Sequence, residues 1–149
     1  MSSKTWTEHG FGVKLFTDNN EKQVFAFIAN NLDLLEYINE VPKIRTALEN
    51  CADYDEYSNI MINTLYEYPC DAVAGIINRK EGTTIFRGYR PDGDTDQEEM
   101  IGAEPMYPWD MNDRDRSISY EETKSILKKY AAEIGQNEDP YDFDAEYYG

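Results

Sequence analysis

The segment from Ser119 to Gly135 constrains the fold most. Ser119 and Glu122 have the spacing of a capping box, in which side chains satisfy the free N–H groups of a helix start. Behind it, Ile126, Leu127, Tyr130, Ala131 and Ile134 recur at helical spacing on one face. Gly135 follows where a helix commonly ends in a left-handed residue. A helix with one apolar stripe must bury that stripe against other elements. The rest of the chain therefore has to supply a packing layer.

Strand periodicity opens the chain. Phe11, Val13 and Leu15 alternate with Gly12 and Lys14, and Gly10 and Gly12 suggest a bulge or close backbone packing. Asp18 precedes Glu21 at capping-box spacing, ahead of Val24, Phe25 and Ile28. Residues 31–50 read as helical, with Leu34, Leu35 and Ile38 on one face and Pro42 starting a fresh helix. Asp53 or Asp55 caps a further helix carrying Tyr57, Ile60, Met61 and Leu65, and Pro69 stops it. Ala72–Asn78 and Thr84–Tyr89 are rich in β-formers. Joined by residues 79–83, they read as a β-hairpin with Gly82 in the turn. Met100–Ala103 is one more short strand. The expected fold is α+β: several helices packed on a small antiparallel sheet containing one β-hairpin. Residues 1–135 form the expected single domain, and residues 136–149 an acidic, aromatic and flexible tail.

Charge bears on partners rather than on fold. The 149 residues hold 30 acidic and 14 basic side chains, for a net charge of −16. Residues 1–90 carry 13 acids and 9 bases, whereas residues 91–149 carry 17 acids and 5 bases. Such a surface repels nucleic acid and anionic membrane and suits a basic protein surface. Val24–Ala29 is typical of the short apolar runs, so no membrane span is expected, and no signal peptide is visible at the N-terminus. A cytoplasmic location follows by default.

Catalytic and metal chemistry find little support. His9 is the single histidine and has no recognisable nucleophile motif beside it, so a surface or structural role is expected. Cys51 and Cys70 fit no zinc spacing and read as free thiols. Asp92, Asp94 and Asp96 match the first ligand positions of an EF-hand loop. Gln97 then stands where glycine is needed, and Ala103 where the bidentate glutamate belongs. The expectation is no enzyme, no cofactor and no metal.

The acidic and aromatic pattern carries the functional reading. Asp92, Asp94, Asp96, Glu98 and Glu99 are followed by Asp110, Asp113 and Asp115, with Tyr107 among them. Carboxylates fixed along a fold can stand in for phosphates in a basic groove. Tyrosine adds stiff contact area as an anchor. These nine residues form the candidate partner-binding site. Trp109, held extended by Pro105 and Pro108, is expected to pack between the sheet and the final helix.

The run Met106-Tyr107-Pro108-Trp109-Asp110-Met111, then Ser119-Tyr120-Glu121-Glu122 and a helix bearing Tyr130, resembles the C-terminal half of small acidic proteins of bacterial mobile elements and gut genomes. Their opening Trp-x-Glu-x-Gly-aromatic-Gly is similar to Trp6–Gly12. In size, acidity and aromatic content the chain also resembles phage- and plasmid-encoded inhibitors of restriction enzymes and CRISPR nucleases. That resemblance implies an inhibitor that blocks a nucleic-acid groove by mimicry. The alternative is a regulatory or immunity-type module that recognises its partner through aromatic and hydrophobic surface.

Overall fold

The computed structural model describes residues 5–36, 38–65, 68–90, 99–103, 109 and 111–148. In chain order its elements are β1 (Thr5–Lys14), α1 (Glu21–Asn30), a 3-10 turn (Leu32–Leu34), α2 (Val41–Glu49), α3 (Tyr54–Thr64), α4 (Pro69–Glu81), β2 (Phe86–Tyr89), β3 (Met100–Ala103), α5 (Asp113–Ser117), α6 (Tyr120–Glu133) and β4 (Tyr141–Tyr148). The sheet order is β2-β3-β1-β4, every neighbouring pair is antiparallel, and the class is α+β.

The register sorts side chains to two faces, because alternate residues of a strand point to opposite sides. Phe11 stands opposite Ala103 and Val13 opposite Ile101, while Phe86 faces Ala103 from β2. These residues join Val24, Ile28, Val73, Ile77, Leu127 and Ile134 in the main core, so the helices cover this face. The other face carries a small cluster of Tyr89, Met100 and Ala145, with Phe143 packed on it. Gly12 is required where β1 and β3 meet: a Cβ there would lie 2.0 Å from the Ile101 carbonyl oxygen. Gly88 serves the helical face in the same way, since its Cβ would strike the backbone of Cys70 and Asp71 at the start of α4.

Several expectations need correction. Ala72–Asn78 is not a strand but the middle of α4. Val73, Ile76 and Ile77 are β-branched, yet they stand at the i, i+3, i+4 spacing of a helix face and are buried together. Pro69 does not stop a helix; it opens α4, where its missing N–H costs nothing. Arg79 and Lys80 sit in the last turn, and Gly82 ends it at φ 70°. The hairpin belongs instead to β2 and β3, consecutive strands that pair antiparallel.

Pro42 does open a fresh helix, in the first turn of α2, but before it the helical stretch is only the 3-10 turn Leu32–Leu34, which ends at Leu35. Asp18 does not cap α1; Asn20 is its N-cap residue. The Asn20 side chain is buried and works as a tie. Its Nδ2 donates to the carbonyls of Leu15 at 2.9 Å and Ile134 at 2.8 Å, and its Oδ1 accepts from Thr17 N. It thereby joins the exit of β1 to the end of α6. At α3 the cap is Asp53, whose Oδ1 accepts from Glu56 N at 2.9 Å.

Residues 136–149 contain an element that the sequence reading does not include: Tyr141–Tyr148 is a strand and pairs along β1 from Gly12↔Tyr141 to Thr5↔Tyr148. Gln136 leads into it from a buried position, donating through Nε2 to Lys14 O at 3.0 Å. The division at residue 135 therefore does not separate this strand from the domain. α6 behaves as the sequence requires: Ser119 Oγ accepts from Glu122 N at 3.0 Å, and Gly135 is left-handed at φ 78°.

Candidate partner-binding surface

The nine sequence-selected residues divide into those the described residues include and those they do not. Asp92, Asp94, Asp96, Glu98, Tyr107 and Asp110 lie outside the described residues, as does Gln97 of the EF-hand-like loop, whose last position, Ala103, is in β3. Glu99, Asp113 and Asp115 lie within them.

Glu99 turns inward. Its Oε1 accepts from Cys70 N at 3.1 Å at the free N-terminus of α4, and its own carbonyl accepts from Leu15 N. Burial pushes its carboxyl above the usual range, although the Cys70 N–H works against that shift. Asp71 beside it is also raised by burial, opposed by Arg90 and Arg87. Burial likewise pushes the Cys70 thiol far up and keeps it protonated.

Asp115 is 3% exposed. Its Oδ1 accepts from Thr84 N at 2.9 Å and its Oδ2 from Thr84 Oγ1 at 2.5 Å. It also forms a reciprocal capping box with Asn112 at the start of α5. This buried carboxylate clamps α5 to the residues before β2. Asp113 is fully exposed, 3.8 Å from Arg116. Trp109, expected in the core, is 76% exposed instead.

Further outward-facing carboxylates stand in the segment expected to be a tail. On β4, Asp142 and Asp144 are both exposed, and they stand opposite Phe11 and His9 on the helical side of the sheet. His9 Nδ1 meets Asp144 Oδ1, and both side chains remain largely exposed. Carboxylates at alternate strand positions recur about every 6.8 Å. The signal was present in the sequence: Tyr141, Phe143 and Ala145 alternate with Asp142, Asp144 and Glu146.

Beside this row lies a cleft of about 400 Å³. Phe11, Ala103 and Asp142 line it from the sheet, and Asp115, Ile118 and Tyr120 from the helical side. The rings of Phe11 and Tyr120 lie 4.9 Å apart with their planes at 44°. Tyr120 is 60% exposed. The lining is mostly apolar and includes carboxylates but no Lys or Arg.

Among the described residues no group of three or more His, Cys, Asp or Glu side chains is arranged to hold a metal ion. No helix among them is long and apolar enough to cross a membrane. What the fold and surface define is an α+β domain with an acidic edge strand beside an aromatic cleft. Comparison with protein families, with characterised proteins and with solved structures finds no match for the chain.

Proposed function

We propose that the protein is an acidic inhibitor that binds a basic, nucleic-acid-binding partner such as a defence nuclease and competes for its nucleic-acid groove. It acts by occupancy, without turnover. The observation that carries this reading is the row of exposed carboxylates on β4, Asp142 and Asp144, within a segment holding 17 acids against 5 bases. A rigid strand keeps such charges at fixed spacing, as a phosphate substitute requires, and fixed charge steers a basic partner into contact. The resemblance to anti-restriction and anti-CRISPR inhibitors in size and acidity agrees with it. Asp92, Asp94, Asp96, Glu98 and Asp110 add to the acidity of the same segment.

The test is capture of the partner from host lysate at about 50 and about 200 mM salt, followed by a nucleic-acid competition assay on the captured protein. The expected outcome is a partner that binds nucleic acid, is released at the higher salt and loses its nucleic acid to this protein. Binding that is indifferent to salt, or a partner that holds this protein and nucleic acid together, would sink the reading.

A second reading, recognition through aromatic surface without mimicry, is favoured by the exposure of Trp109 and Tyr120. Under it, Asp142→Lys with Asp144→Lys leaves capture intact and Trp109→Ala with Tyr120→Ala abolishes it. Mimicry gives loss of capture with the charge reversals.

A further inference from the structure

The cleft beside β4 has a shape and chemistry that select an occupant. Its volume of about 400 Å³ is ample for one long side chain. Ile85, Ala103 and Ile118 supply apolar wall for a stem, and Phe11 and Tyr120 supply two aromatic rings. Asp142 stands directly across the strand pair from Phe11. That places an exposed carboxylate about one cross-strand spacing, roughly 5 Å between Cβ atoms, from an aromatic wall.

The charges present decide what can enter. Asp115 also lines the cleft, but its oxygens are taken by Thr84 and Asn112. His9 is engaged with Asp144. Asp142 is left as the exposed carboxylate at this wall. An anion would be repelled by it. A neutral apolar group would cover it without pairing it, which is costly for a charge. A cation on an apolar stem satisfies both halves of the site. Between the two long cationic side chains, arginine fits better. Its guanidinium is planar and weakly hydrated, stacks on aromatic faces and can grip a carboxylate with two parallel bonds. Lysine carries a compact, strongly hydrated charge with no such face.

We infer that this cleft receives an arginine side chain from the basic protein partner, anchored by Asp142 and stacked against Tyr120 and Phe11. The inference rests on the reading of the protein as a binder of a basic surface. It adds a specific anchor to what would otherwise be long-range charge attraction. A nucleic-acid groove is the kind of surface where such arginines are found.

The experiment is an NMR titration of the isotope-labelled full chain with N-acetyl-arginine amide, its neutral isostere N-acetyl-citrulline amide, and N-acetyl-lysine amide. The expected shifts concentrate at the amides of residues 9–11, 103, 118–123 and 142. Arginine is expected to bind about fivefold more tightly than citrulline or lysine, a difference in keeping with one exposed cation–π and carboxylate contact. Asp142→Asn and Tyr120→Ala should each erase that preference. Both side chains are exposed, so the rest of the spectrum should be unchanged.

Equal shifts with citrulline, or shifts spread to acidic groups elsewhere such as Asp53, Asp55 and Glu56 at the start of α3, would overturn the inference. So would retention of the arginine preference in both variants. The two proposals fail separately. Arginine selectivity in a protein whose partner binding ignores salt leaves the pocket and removes groove competition. Salt-sensitive capture without arginine selectivity does the reverse.

Discussion

Asp115 and Asp142 line the same cleft and differ in every other respect. Asp115 is the third residue of the short helix α5, within reach of free N–H groups, and its carboxylate bonds to Thr84 and Asn112 with 3% of the residue exposed. Asp142 sits on an edge strand. Backbone partners there come from β1, and the side chain keeps its place on the open surface. The same contrast separates Glu99, which accepts from the first turn of α4, from Asp144. Acidity in a segment therefore does not tell how its carboxylates are used. Asp115 and Glu99 reach free N–H groups and are drawn in, whereas Asp113 at the same helix start as Asp115 and Asp142 on the edge strand are left to solvent.

Removing residues 141–149 attacks the comparison most directly. If β4 is structural, the deletion strips the β1 ladder and uncovers Tyr89, whose ring packs edge-on against Phe143 at 4.8 Å. A loss of at least about 3 kcal/mol is expected, from several ladder hydrogen bonds of roughly 1 kcal/mol each and the lost aromatic contact. Urea unfolding measures it; an unchanged midpoint would restore the flexible tail.

Asp115→Ala comes next. It removes the buried acceptor that bonds Thr84 N and Oγ1 and breaks the capping box with Asn112, for a loss of about 2 kcal/mol by the same measurement. Asp142→Ala should leave the midpoint where it is. Equal losses from the two substitutions would erase the distinction between clamped and free carboxylates.

Glu99→Gln sharpens the comparison through pH. A carboxyl raised by burial binds its proton more tightly folded than unfolded. Its ionisation therefore costs stability, and the loss sets in as pH rises from the ordinary glutamate range, about 4.3, to the higher folded value. Glutamine keeps an oxygen for Cys70 N and carries no charge. The variant should be as stable as the parent in acid and equal or slightly more stable at pH 7, by less than about 1 kcal/mol. Thermal unfolding across pH 4–8 checks the sign.

The smallest effect expected is from Trp109→Ala, within about 0.5 kcal/mol, since most of the ring is exposed. A loss of several kcal/mol would place Trp109 in the role the sequence suggested for it.

Legibility followed the distance over which each decision is made. β1, α6 and the caps at Asp53 and Ser119 were readable, because their signals are local: alternation, helical spacing, a polar residue three before a free N–H. α4 is ambiguous in the sequence because Val73, Ile76 and Ile77 carry β propensity while their spacing is helical, and packing against β2 and β3 selects the helix. The candidate site was legible only in its chemistry. The acidic C-terminal half is visible, but the acidic stretch from Asp92 to Asp115 contains the clamped Glu99 and Asp115, and the outward carboxylates of β4 fall in the segment that the sequence presents as a tail.

The sequence by itself determined the α+β class, the final helix and the sign of the charge, since these depend on composition and on neighbours a few residues apart. Tertiary structure alone decided which strand lies beside β1 and which carboxylates face out. Thr5–Gly12 and Tyr141–Tyr148 are separated by more than a hundred residues, and only their pairing turns an alternating acidic run into an edge strand beside an aromatic cleft. A carboxylate's fate depends on which N–H groups the fold brings to it, and that is a property of long-range contacts.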